Sequence, residues 1–125
     1  MPETVYEFDE SEYPQIKHML EYDPYVDKSI SSEALSKLAD NKFSNVIFAR
    51  QEYYIKDGPS LGAPAGKYYL YLKANDEFTA IAQEKFKKEF ASLKRAPPDI
   101  EKKVIETVKE EQDRANAGFG AIFGD

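Results

Sequence analysis

Two strand-like runs separated by a glycine- and proline-rich break constrain this chain more than any other feature. Residues 43–56 gather Val46, Ile47, Phe48, Tyr53, Tyr54 and Ile55, the β-branched and aromatic types that suit a pleated, half-buried surface. Residues 67–73 read KYYLYLK. Between them, Asp57-Gly58-Pro59 opens a segment that holds three glycines and two prolines by Gly66, which no strand or helix tolerates. The pattern predicts an antiparallel hairpin with a long connection. A lone hairpin is marginal in water, so the remaining segments have to cover it.

The flanking segments supply that cover. Thr4–Phe8 alternates as a short edge strand. Ser11 suits an N-cap, Pro14 falls in the first turn where a missing N–H is harmless, and Ile16, Met19 and Leu20 follow at helical spacing. This first helix is expected to stop near Tyr22, because Asp23 precedes Pro24. A second short helix is expected over 32–39, burying Leu35 and Leu38. A third starts at Asn75 or Asp76 and carries one apolar stripe of Phe78, Ile81, Ala82, Phe86, Phe90 and Leu93, ending at Ala96-Pro97-Pro98. Asp99 caps a fourth, striped by Ile100, Val104, Val108 and Ala115, with Gly118 suited to its C-terminal cap. The expected order is β-α-α-β-β-α-α. It gives an α+β fold with a small antiparallel sheet of about three strands, including the long-loop hairpin, packed with about four helices. No linker or repeat divides the 125 residues, so 1–125 reads as one domain with a glycine-rich apolar tail over 118–125.

Composition excludes several function classes. There is no cysteine, hence no disulfide framework, thiolate nucleophile or Cys-ligated zinc, and a cytoplasmic location is expected. The acidic first twelve residues do not resemble a secretory signal, and no apolar run is long enough to span a membrane. Net charge is −6, which disfavours nonspecific binding to nucleic acid or anionic lipid. The distribution is uneven: residues 1–41 sum to −7, residues 42–73 to +3 and residues 74–125 to −2.

Catalytic and cofactor motifs are weak. The one histidine, His18, sits beside the apolar face of the first helix with Glu21 at i+3, where a surface role is the ordinary reading. A single histidine also excludes His-rich zinc sites. Gly62-Ala63-Pro64-Ala65-Gly66-Lys67 falls short of a phosphate loop: the glycines are too close, Tyr68 replaces the required hydroxyl, and a strand follows where a helix N-terminus is needed. The acidic runs around Glu110, Glu111 and Asp113 lack the alternation of a calcium loop and suit a solvated helix face. No catalytic residue, metal ligand or cofactor is assigned, and a non-enzymatic protein is expected.

One constellation stands out. Strand alternation puts Ile47, Ala49, Gln51, Tyr53 and Ile55 on one face with Tyr68, Leu70, Leu72 and Ala74, a largely apolar set expected against the third and fourth helices. The opposite face takes Val46, Phe48, Arg50, Glu52, Tyr54 and Lys56, then Lys67, Tyr69, Tyr71 and Lys73. Aromatic rings interleaved with bases are what a sheet offers to single-stranded nucleic acid. The candidate binding residues are therefore Arg50, Tyr54, Lys56, Lys67, Tyr69, Tyr71 and Lys73. Three other readings compete: ordinary surface, a face covered by helices, and a protein interface anchored by Tyr and Arg. A protein partner or self-association is favoured over single-stranded RNA because the chain as a whole is acidic. In the tail, Phe119, Ile122 and Phe123 form a second candidate element, either docked on the domain's own core or offered to a partner.

Overall fold

A computed structural model describes the backbone of residues 1–39 and 47–122, and side chains over 1–37 and 47–117. The elements in chain order are β1 (Glu3–Asp9), α1 (Tyr13–Glu21), α2 (Ser32–Ala39), β2 (Glu52–Asp57), β3 (Lys67–Lys73), α3 (Asp76–Glu89), β4 (Lys94–Arg95) and α4 (Pro98–Ile122). The fold is α+β, with one antiparallel sheet in the order β2-β3-β1-β4. Among the described residues the sheet has four strands rather than three, and the order is β-α-α-β-β-α-β-α. β1 is a central strand, not an edge.

Local chemistry explains most of the boundaries. Pro14 lies in the first turn of α1, and Tyr22, before Asp23-Pro24, ends that helix in an extended conformation. The Asn75 side chain accepts the Phe78 N–H at 2.7 Å and caps α3, which starts at Asp76, one of the two expected positions. α2 spans 32–39 with Leu35 half-buried, while the Leu38 side chain lies outside the described residues.

Three boundaries depart from expectation. Phe48–Arg50 forms a 3-10 turn, so β2 starts only at Glu52; the expected strand positions 43–46 lie outside the described residues. α3 ends at Glu89 because Phe90 turns extended and the Ser92 N–H is taken by Glu12 (2.8 Å). That turn delivers Lys94 and Arg95 to the free side of β1. Finally, α4 runs past Gly118 and Gly120 to Ile122, since each glycine costs a helix only about 1 kcal/mol and no proline follows.

The core has two halves, one on each face of the sheet. Tyr6, Phe8, Leu70 and Leu72 pack against Ile16 and Leu20 of α1 and Ala82 and Phe86 of α3, with Phe48 stacked on Phe86. Val5, Tyr69 and Tyr71 pack against Val104 and Val108 of α4 and against Leu61 from the β2–β3 connection. The sequence expectation of α3 and α4 on one face is corrected: they lie on opposite faces. The two-residue β4 separates them in the chain, and α4 starts on the far side of it. Among the described residues, no buried side-chain nitrogen or oxygen lacks a partner.

Candidate functional site

Alternation sorts the hairpin correctly over 52–57 and 67–73. Tyr54 pairs with Tyr71 and Lys56 with Tyr69, and Ile55 pairs with Leu70 on the other face. The expected binding face is therefore real as a set of neighbours, but it is not open. α4 lies across it, leaving Tyr69 4% and Tyr71 2% exposed. Neither ring offers a plane on which a base could stack.

The charge of this face is also answered within the fold. β1 lies beside β3, and its own alternation puts Glu3, Glu7 and Asp9 on the tyrosine side. Asp9 pairs with Lys67, and Glu3 accepts the Tyr71 hydroxyl. From α4, Glu111 pairs with Lys56, and Gln112 bonds both Glu52 (2.8 Å) and the Tyr54 hydroxyl (3.3 Å). Burial pushes the Tyr71 phenol well above its ordinary pKa of 10.0, and the Glu3 carboxylate beside it pushes further the same way. Tyr69 is raised for the same first reason.

Of the seven residues singled out, Lys56, Lys67, Tyr69, Tyr71 and Lys73 line this covered face, and Tyr54 stands at its margin with its ring tilted against Tyr71. Arg50 is elsewhere. The 3-10 turn breaks the alternation, sending Phe48 into the opposite core and Arg50 to the loop after α1. There its guanidinium bonds Asp23 at 2.9 Å and stacks over Tyr25. The arginine holds the Asp23 carboxyl below its ordinary pKa. His18 is exposed and stacks on Tyr22. Phe119, Ile122 and Phe123 lie outside the described side chains; the backbone through Ile122 is helical rather than a glycine-spaced tail.

A different concavity opens at the other edge of the sheet, between α3 and β4. It has a volume of about 480 Å³, in the range of ligand-binding clefts. Tyr6, Phe86 and Leu93 form its apolar base, and Ala80 with the stems of Gln83 and Lys87 forms the α3 wall. The Tyr6 hydroxyl bonds Gln83 at 3.1 Å. Lys87, Lys94 and Arg95 stand around it against the single acid Glu84. Arg95 is bidentate to Glu101, and Lys94 lies 3.4 Å from Glu7 with its side chain 69% exposed. Lys87 has no ion pair among the described residues. A sequence signal for this groove existed. Residues 85–95 hold Lys85, Lys87, Lys88, Lys94 and Arg95 against Glu89 alone, a second basic stretch hidden inside a third of the chain that is negative in sum.

A further depression of about 420 Å³, near Asp9, Glu12, Lys67 and Ser92, is already satisfied within itself. Lys67 pairs with Asp9, and Ser92 donates to Glu12, which lowers the Glu12 pKa. Among the described residues no three His, Asp or Glu side chains converge as a metal ion requires, and no helix is long and apolar enough to cross a membrane. No family model, curated protein or solved structure matches this chain.

Proposed function

We propose that this chain is a non-enzymatic binding protein, with its recognition surface in the groove between α3 and β4. The observation that carries the reading is the groove itself: an apolar base beside an open sheet edge, ringed by three bases in a chain of net charge −6. The hairpin face is the less favoured surface, because its central tyrosines are core. Single-stranded RNA, which needs exposed rings, is less favoured there for the same reason. The non-enzymatic part rests on the sequence, with one exposed histidine and no cysteine. A cysteine-free chain also suits the reducing cytoplasm, which is the compartment proposed for it.

The test is an amide NMR map of the full chain titrated with short apolar-anchored peptides. Shifts at Gln83, Lys87, Leu93 and Arg95 are expected. Shifts confined to Tyr54, Lys56 and Lys73 would move the site back to the hairpin.

A second reading is self-association through α4. The helix continues ten residues beyond Gln112, which makes its last hydrogen bonds to the sheet among the described residues, a reach of about 15 Å. Residues 113–117 are all exposed. Sedimentation of the full chain and of one ending at Ala117 decides it: self-association requires a dimer in the first and a monomer in the second, and monomers in both would remove the reading.

A further inference from the structure

We propose that the groove takes an extended acidic segment of a partner protein, added as a new strand on the outer edge of β4. The inference rests on the groove being the recognition surface and names what fills it.

β4 pairs with β1 at Glu7–Lys94 and Tyr6–Arg95, and the Ala96 N–H donates to the Val5 carbonyl at 2.9 Å. Antiparallel pairs alternate between bonded and non-bonded. Since the 5–96 position is bonded, so is 7–94, and 6–95 is the non-bonded pair. The N–H and C=O of Arg95 therefore point away from β1, toward the open side of the sheet. An edge strand with outward-facing groups beside a helix-walled groove is the geometry for strand addition. Pro97 and Pro98 keep the chain's own continuation from extending that edge.

The side chains set the chemistry of the occupant. Alternate residues of an added strand would face the groove, where Ala80, Leu93 and the stems of Gln83 and Lys87 accept an apolar group. Lys94, opposite Glu7, faces the other side of the strand from Arg95, opposite Tyr6, so the intervening residues would meet Lys94, while Lys87 and Arg95 rim the groove itself. Carboxylates at the intervening positions complement Lys94, and a negatively charged segment complements the three bases as a set. Nucleic acid fits less well, because Tyr6 and Phe86 are each only 2% exposed and present no ring to stack on.

The probe is a short capped peptide of alternating glutamate and leucine, titrated into the full chain and followed by amide NMR and anisotropy. It is expected to shift Gln83, Leu93, Lys94 and Arg95. Affinity should fall about tenfold or more when alternate peptide nitrogens are methylated, and again in Lys87→Gln/Lys94→Gln, each step being of the order of 1.4 kcal/mol. Both lysines are exposed, so the double variant should fold as the parent does. Equal binding of the methylated peptide overturns strand addition. Equal binding of a serine–leucine peptide at the same amides overturns the acidic occupant and leaves the groove reading intact. Groove shifts with a short single-stranded RNA and none with the peptide overturn the proposal in favour of nucleic acid. No shift with any peptide removes both the proposal and the groove reading.

Discussion

The carboxylate of Glu101, on the first turn of α4, accepts the backbone N–H of Val5 at 2.9 Å, across 96 residues of sequence. It does so where the β1–β4 ladder ends. Ala96 donates to the Val5 carbonyl, but the chain then diverges through Pro97-Pro98, and the reciprocal donor, Val5 N–H, is left for Glu101. The same carboxylate holds the Arg95 guanidinium. One side chain thus ties together β1, β4 and α4.

Replacing Glu101 with alanine leaves a fully buried backbone donor without a partner, which costs about 1–3 kcal/mol. Burial alone would raise the Glu101 pKa, but the Arg95 and Val5 bonds outweigh it and hold it below the ordinary 4.5. Its contribution to stability is therefore complete above pH 4.5 and is lost as pH falls below that through the depressed value. Urea midpoints should be lower in Glu101→Ala at neutral pH. In Glu101→Gln the fall on acidification should be shallower than in the parent. A parallel fall in both would assign the acid sensitivity to other carboxyls such as Glu12.

Tyr69 and Tyr54 should differ sharply although both belong to the same strand face. Tyr69→Ala opens a cavity under α4 and is expected to cost about 3–5 kcal/mol. Tyr54→Ala, at 38% exposure, should cost about 1 kcal/mol or less. Denaturant unfolding of the two variants measures this directly. Near-equal, small effects would mean that α4 does not seal the tyrosines.

The buried phenols predict the alkaline behaviour. Tyr53, Tyr69 and Tyr71 all titrate above the ordinary 10.0, burial being the first cause in each. Their contribution to stability is whole below pH 10 and is lost as pH rises through the elevated folded values. Tyrosinate absorbance should rise in two waves, the second coinciding with loss of helical circular dichroism. A single wave near pH 10 with the fold intact would contradict the burial.

Two glycines of the β2–β3 connection should respond to alanine for different reasons. At Gly58 the backbone is ordinary, but a Cβ would lie 2.3 Å from the Pro64 carbonyl oxygen, so backbone has to move. The expected cost is about 1–3 kcal/mol. At Gly62 a Cβ would meet only the end of the Lys103 side chain, 3.3 Å away, which can swing aside, so the cost of about 1 kcal/mol comes mainly from its φ of +75°. Thermal melts of Gly58→Ala and Gly62→Ala rank them, and the reverse order would place the strain in the wrong turn.

The elements that could be read from the sequence are those with local signals. Pro14 and Pro24 frame α1, Asn75 caps α3, and the parity of YYIK and KYYLYLK sorts the hairpin side chains. What could not be read depended on partners far along the chain. Nothing local to Lys94 and Arg95 announces a strand; they are one because β1 offers an unpaired side. Taken alone, the hairpin presents a basic tyrosine face, and Glu3, Glu7 and Asp9 join it only through the pairing of β1 with β3. The parity also failed across Phe48–Arg50, where one 3-10 turn carried an aromatic to the opposite core and an arginine out of the site.

The central place of β1 has a consequence for how the chain reaches this structure. Phe8 pairs with Tyr68 and Tyr6 with Arg95, separations of 60 and 89 residues. Closing such loops is slow relative to forming a local hairpin, so β2 and β3 should assemble while the slot for β1 is still vacant. During that interval the β3 edge, with Tyr69, Leu70, Tyr71 and Leu72 along it, is an unpaired apolar template. Aggregation during refolding should therefore be governed by how fast β1 arrives, and changes in Thr4–Phe8 that barely alter the finished fold would still decide how much of the chain gets there.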